Sequence, residues 1–265
     1  MLVNVFCKNK GWLFEDLKQH MARHGAVASD TPMTDADAWI CLRDTEAHTV
    51  PDRSRTLVQC HHMNDFNHVD YGMVSFCHPA QERQYRAMHG DRQQSFTLPI
   101  GARDVPHAPL PPRPVLGFFC REVGLDRRIK GSDVFAAAVT EARKFTDFDV
   151  LMIGERLDHI SHLGQYECRA AVPDDYARIT SLCVTSTSIA VPLSMYEAIA
   201  AGRAVASMRR EMTFPCPTVF MADDAQSLAE AITSALSVRN AVPMMPFSRD
   251  DWARRQVEEA MRLCR

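Results

Sequence analysis

Short apolar runs alternate with longer mixed segments along most of this chain. Runs over 2–7, 38–42, 56–60, 73–77 and 95–98 predict five strands, and runs over 115–120, 149–153, 183–186, 204–207 and 218–221 predict five more. The intervening segments carry the helical period. Leu13, Leu17 and Met21 recur every fourth residue in a helix over 12–23, and a polar helix follows over 80–88. Phe135, Ala138, Val139 and Ala142 share one face of a helix over 132–145. Further helices are predicted over 174–181, over 193–201 with Gly202 at its C-terminal cap, and over 226–237. The last one, over 248–263, opens on the capping sequence Ser248-Arg249-Asp250-Asp251. Strands alternating with helices predict an α/β fold, with parallel sheets covered by helices on both faces.

The alternation is interrupted once. Five prolines between Val105 and Pro114 can continue neither a helix nor a central strand, and they predict a stiff extended linker. The expected organisation is one domain over 1–104, a Pro-rich linker over 105–114, a second domain over 115–247, and a C-terminal helix over 248–265 that packs back on the first domain. Each half reads as a doubly wound, Rossmann-like unit. The two are expected to face a cleft, with ligand at the carboxyl ends of the strands.

Composition narrows the class. Of 265 residues, 46% are hydrophobic and 24% charged, which fits a globular protein and excludes a disordered or fibrous one. No apolar stretch approaches the ~18 residues that span a bilayer. No basic region precedes the run 1–7, so no signal peptide and a cytoplasmic location are expected. The net charge of −3 leaves no overall basic footprint for nucleic acid. A local basic face remains over 81–94, carrying Arg83, Arg86, His89 and Arg92. The nine cysteines form no C-x-x-C pair, and several sit inside apolar runs. They read as buried free thiols in a reducing compartment, not as disulfides or zinc ligands.

Two segments carry candidate chemistry. In 119–133, a buried strand runs into a loop bearing Arg121, Arg127, Arg128 and Lys130. Gly131 follows, and then a helix starts. Cations beside a helix N-terminus make an anion site, because unpaired N–H groups and the helix dipole both favour negative charge, and the glycine allows close backbone approach. The alternative is a solvated basic loop. In 181–207, Ser186, Thr187 and Ser188 offer hydroxyls near a strand end, a second polar wall for a phosphate. Glu197 stands in an otherwise apolar helix, off its packing face.

With these residues in view, the chain resembles the nucleotide-sugar-dependent glycosyltransferases of GT-B fold, in the large retaining group 1 family. Four segments carry the resemblance, in the family's order: Leu98-Pro99-Ile100-Gly101; Leu116-Gly117-Phe118 with Lys130-Gly131-Ser132-Asp133; the strand 150–154 ending in Gly154; and 192–205, PLSMYEAIAAGRAV. The match covers about 98–237. It implies that Lys130 and an arginine of the preceding loop (Arg121, Arg127 or Arg128) grip the donor diphosphate. It also implies that Gly131 and its helix receive a phosphate, and that Glu197 binds the donor ribose. Lys10-Gly11-Trp12 matches the family's glycine loop after the first strand. His61 and His62, with Asp65 close behind, stand where the family often carries a histidine facing the donor sugar; His78 is a weaker candidate. One departure is Ile189, where the family often has a second glutamate near that sugar.

The expected activity is transfer of a sugar from a nucleoside diphosphate sugar to a hydroxyl acceptor, with retention, without metal and without a cofactor. Asp35-Ala36-Asp37 has metal-binding spacing but reads as a turn before a strand. The acceptor is a glycan or a hydroxymethylated DNA base of the phage type. The shortened first domain favours a large, exposed acceptor. The alternative is a nucleotide-sugar-binding protein without catalysis.

Overall fold

A computed structural model describes residues 1–8, 12–60, 70–120, 130–187, 192–212, 214–244 and 247–265. The chain forms two compact units, Met1–Gly101 with Phe247–Arg265, and Ala102–Pro246. No helix among the described residues is long and apolar enough to cross a membrane.

The first unit holds a parallel six-stranded sheet in the order β2-β1-β3-β4-β5-β6. Its strands are β1 (Val3–Phe6), β2 (Val27–Ser29), β3 (Ala38–Cys41), β4 (Thr56–Cys60), β5 (Met73–Phe76) and β6 (Ser95–Thr97). Helices α1 (Trp12–Arg23) and α2 (Pro79–His89) connect strands of this sheet. β1, β3, β4 and β5 are buried throughout, as continuous apolar runs in a parallel sheet require. β2 was not expected from the sequence. It is a three-residue edge strand, largely exposed, and its small side chains give no hydrophobic run to detect.

The C-terminal helix α6 (Arg249–Arg262) packs in this unit against α1, β1, β3 and β4. Ser248 caps it by accepting from the Asp251 amide. Its underside is polar where it meets the sheet: Gln256 donates to Gln59 Oε1 at 2.8 Å, and the Ser75 hydroxyl donates to the same oxygen at 2.6 Å. All three side chains are fully buried, so this satisfied network fixes where the helix docks. Arg249, also buried, reaches Asp16 of α1 at 2.5 Å.

The second unit repeats the architecture, with a parallel sheet in the order β12-β11-β10-β7-β8-β9. Its strands are β7 (Val115–Phe119), β8 (Asp149–Ile153), β9 (Gln165–Glu167), β10 (Ser181–Val184), β11 (Ala204–Met208) and β12 (Val219–Ala222). Helices α3 (Ser132–Ala142) and α5 (Ala225–Ser237) share a core with one face of the sheet, which includes Phe118, Met152 and Cys183. Helix α4 (Leu193–Ala200) packs on the other face with Leu151, Ile153, Leu182 and Val205. Phe118 stacks on Phe135 with ring centroids 4.1 Å apart.

β10 begins two residues earlier than the apolar run suggests. Ser181 pairs with Leu116 on one side and with Ala204 on the other, and two ladders hold a residue that propensity alone would leave out. The helix expected over 174–181 is a 3-10 turn, Pro173–Arg178. The Pro-rich segment lies within the second unit. There the buried guanidinium of Arg203 donates to the carbonyls of Ala108, at 2.8 Å, and Pro109.

Candidate anion site at the carboxyl edge of the second sheet

In the second sheet, β7, β8 and β9 run outward in one direction, and β10, β11 and β12 in the other. The order therefore reverses between β7 and β10. At such a reversal, open α/β sheets take their ligands outside the carboxyl ends of the strands. The two segments singled out in the sequence both leave the sheet at this point: Lys130 and Gly131 after β7, and Thr185 to Thr187 after β10.

Gly131 caps α3 in the left-handed region, at φ +69°, a conformation that other residues adopt only under strain. A Cβ there would also lie 3.0 Å from the Thr185 carbonyl, so the glycine lets the two loops touch. The Thr185 hydroxyl donates to the Lys130 carbonyl across the junction. Ser132, first residue of α3 and buried, places its hydroxyl 3.0 Å from His159 Nε2. Lys130 is half-buried, Ser186 is buried and Thr187 is exposed. Behind them Gly154 follows β8 against Cys120, whose carbonyl oxygen occupies the space a Cβ would need.

Glu197 does not end in open space. Its carboxylate is 3% exposed and takes a two-pronged contact from Arg103, Nε to Oε1 at 2.6 Å and Nη2 to Oε2 at 3.0 Å. The Tyr176 hydroxyl donates to Oε2 at 2.9 Å. Burial, and then the neighbouring Glu197 charge, push the Tyr176 phenol well above its ordinary pKa, which keeps it a donor. The sequence reading missed both partners, because Arg103 lies 94 positions away and only folding brings it there.

Arg210 was also missed. It follows β11 and reaches back over the sheet edge: Nε donates to the Ser207 hydroxyl at 3.0 Å and to the Met208 carbonyl at 3.3 Å, and Nη2 donates to the Ser186 carbonyl. Burial lowers its pKa to about 10.

Lys130, Gly131, Ser186, Thr187 and Glu197 thus belong to the second unit, with the first four at the junction of β7 and β10. Gly11, His61, His62, Asp65, Arg121, Arg127, Arg128 and Ser188 lie outside the described residues. His78 is fully buried, and its Nδ1 accepts from the Ala80 amide as the cap of α2. In the basic segment 81–94, Arg86 is paired with Glu82 at 3.0 Å and with Asp91 at 2.7 Å. Asp37 of the Asp35-Ala36-Asp37 turn accepts from the Leu2 amide. No group of three metal-ligating side chains occurs among the described residues.

No protein-family model matches the chain, and no curated relative matches it. Solved structures do. A sucrose-phosphate synthase from Thermosynechococcus elongatus superposes with a TM-score of 0.69 at 13% identity, over 100% of this chain and 94% of that one. The lipopolysaccharide outer core galactosyltransferase WaaB gives 0.63 at 10% identity, over 97% and 95%. A variant of Staphylococcus aureus TarM, with fondaparinux, α-GlcNAc-glycerol and UDP bound, gives 0.58 at 14% identity. That match covers 86% of this chain, which spans about half (52%) of the TarM chain. The class defined by these likenesses is the GT-B glycosyltransferase fold. Within it the chain has a parallel six-stranded sheet in each unit and a C-terminal helix that returns to the first unit.

Proposed function

We propose that this protein is a glycosyltransferase that moves a sugar from a nucleoside diphosphate donor to a hydroxyl of a glycan. The observation that carries the reading is the junction of β7 and β10. There Lys130 and the glycine-capped start of α3 meet the 185–187 segment, in a fold shared with enzymes of this class. TarM holds UDP, which supports a nucleoside diphosphate as the donor's leaving group.

In this reading the scissile bond lengthens toward an oxocarbenium-like sugar, and charge grows on the departing diphosphate. The amides opening α3 are set by the helix start before the reaction, so they stabilise that charge without reorganising, and Lys130 adds a cation beside them. They supply the electrophilic assistance that a metal gives elsewhere, which supports a metal-independent reaction. Glu197, immobilised by Arg103 and Tyr176, is the carboxylate assigned to the donor ribose. Retention of configuration rests on the resemblance of 98–237 to the retaining family. A glycan acceptor is favoured over a DNA base, because WaaB and TarM are described with glycan substrates or ligands, and because the charge of Arg86 is already paired within the first unit.

The second reading, binding without transfer, draws on Ile189 at the position of the family's sugar-side glutamate. A panel of radiolabelled nucleotide sugars, incubated with mixed glycan acceptors and with water alone, separates the two. Labelled glycan or free sugar establishes the enzyme. Stoichiometric binding with no labelled product sinks the catalytic reading.

A further inference from the structure

Arg210 is a cation in need of an anion. Its side chain lies mostly out of water, and no carboxylate pairs with it among the described residues. Three bonds from Nε and Nη2 hold it to Ser207, Met208 and Ser186. Nη1 is buried and has no hydrogen-bond partner among the described residues. A desolvated guanidinium with an unused donor is costly, and such groups persist where a ligand completes them. The three bonds also fix its fork in place, so little side-chain entropy is lost when an oxyanion arrives.

Its position says which molecule brings that anion. The backbone at 185–186 is shared: Thr185 bonds to the Lys130 carbonyl and abuts Gly131, and the next residue, Ser186, bonds to Arg210. Arg210 therefore stands on the β10–β11 side of the junction that Lys130 and α3 flank from the β7 side. We infer that Arg210 binds an oxyanion of the nucleotide-sugar donor, across the β10 loop from Lys130. This rests on the glycosyltransferase reading and extends it to a residue outside the four matching segments. The oxyanion has two sources in such a donor. One is the diphosphate. The other is an acidic group on the sugar, such as a hexuronate carboxylate, which would make Arg210 the residue that selects an acidic sugar.

The test is calorimetric titration of the wild-type chain, Arg210→Gln and Arg210→Lys with inorganic pyrophosphate, UDP-glucose and UDP-glucuronate. Thermal midpoints without ligand serve as the control for folding. A charge-assisted hydrogen bond predicts a loss of ~tenfold or more in affinity for Arg210→Gln, with partial recovery in Arg210→Lys. A loss for all three ligands assigns Arg210 to the diphosphate. A loss confined to UDP-glucuronate assigns it to the sugar carboxylate. Equal affinities in a folded Arg210→Gln overturn the inference, and so does a wild-type chain that binds none of the three. Parallel titration of Lys130→Ala keeps the two ideas apart. If Lys130→Ala leaves nucleotide affinity intact while Arg210→Gln loses pyrophosphate, the donor site fails and the oxyanion site stands. If only Lys130→Ala loses affinity, the donor site stands and the role of Arg210 falls.

Discussion

The guanidinium of Arg103 grips the carboxylate of Glu197 with two prongs, both within 3.0 Å, and the Tyr176 hydroxyl donates to the same carboxylate. Arg103 sits two residues past the end of the first unit's first segment, and Glu197 sits in α4. The pair fixes a buried carboxylate in one orientation. It also makes Glu197 dependent on a residue far away in sequence.

Removing one partner of that pair leaves a buried charge uncompensated. Arg103→Ala is expected to destabilise the second unit by about 3–5 kcal/mol, read as a lowered urea midpoint. Arg103→Lys keeps the charge but loses the fork, and falls between the two. Glu197→Gln keeps the shape but leaves Arg103 without its counter-charge, and is expected to lower the urea midpoint as well as nucleotide affinity. Equal urea midpoints for Arg103→Ala and the wild type would show that the pair has no energetic role.

Lys130 is half-buried beside the start of α3. Lys130→Ala is expected to lower affinity for a nucleoside diphosphate by more than ~tenfold, the worth of a charge-assisted phosphate contact, while the thermal midpoint stays within a few degrees of wild type. Calorimetry with UDP and GDP, alongside thermal scans, checks both halves.

Gly154 has no room for a side chain: the first carbon of one would overlap the Cys120 carbonyl. Gly154→Ala must push β8 away from the exit of β7, at a cost of about 3 kcal/mol or more. Since β7 leads from that point toward Lys130 and Gly131, nucleotide affinity should fall with stability. A fully stable Gly154→Ala would contradict the close approach.

Asp175 gives the second unit an acid-sensitive element. Burial favours its neutral form, but hydrogen bonds from Arg169, from the Val172 amide and from Arg178 outweigh it, so its pKa is lowered. A carboxylate with a lowered folded pKa contributes stability that is complete above its unfolded value, about pH 4, and is lost as pH falls through the folded value. Asp175→Asn should be less stable than wild type at pH 7. The gap should close on acidification below about pH 4. Urea midpoints at pH 7, 5 and 3 measure it, and a constant gap would rule out the ionised network.

Much of this architecture follows from local sequence. Continuous apolar runs such as 115–119 and 149–153 can be buried only in a parallel sheet, and the period at Phe135, Ala138, Val139 and Ala142 permits only a helix lying on it. Lys130-Gly131 next to that helix made an anion site a candidate by the chemistry of a helix start alone. The short edge strands β2 and β9 were not legible, because three residues with small or polar side chains carry no pattern.

Tertiary structure decided the rest, and for one reason: hydrogen bonding and desolvation act between groups that sequence spacing does not relate. Local sequence determined most of the strands and helices and the lysine-glycine turn, since those depend on neighbours within a few residues. Only the sheet order put β10 beside β7, and so put Thr185 against Gly131. Only folding gave Glu197 its arginine, and left Arg210 half-buried with one donor unused among the described residues.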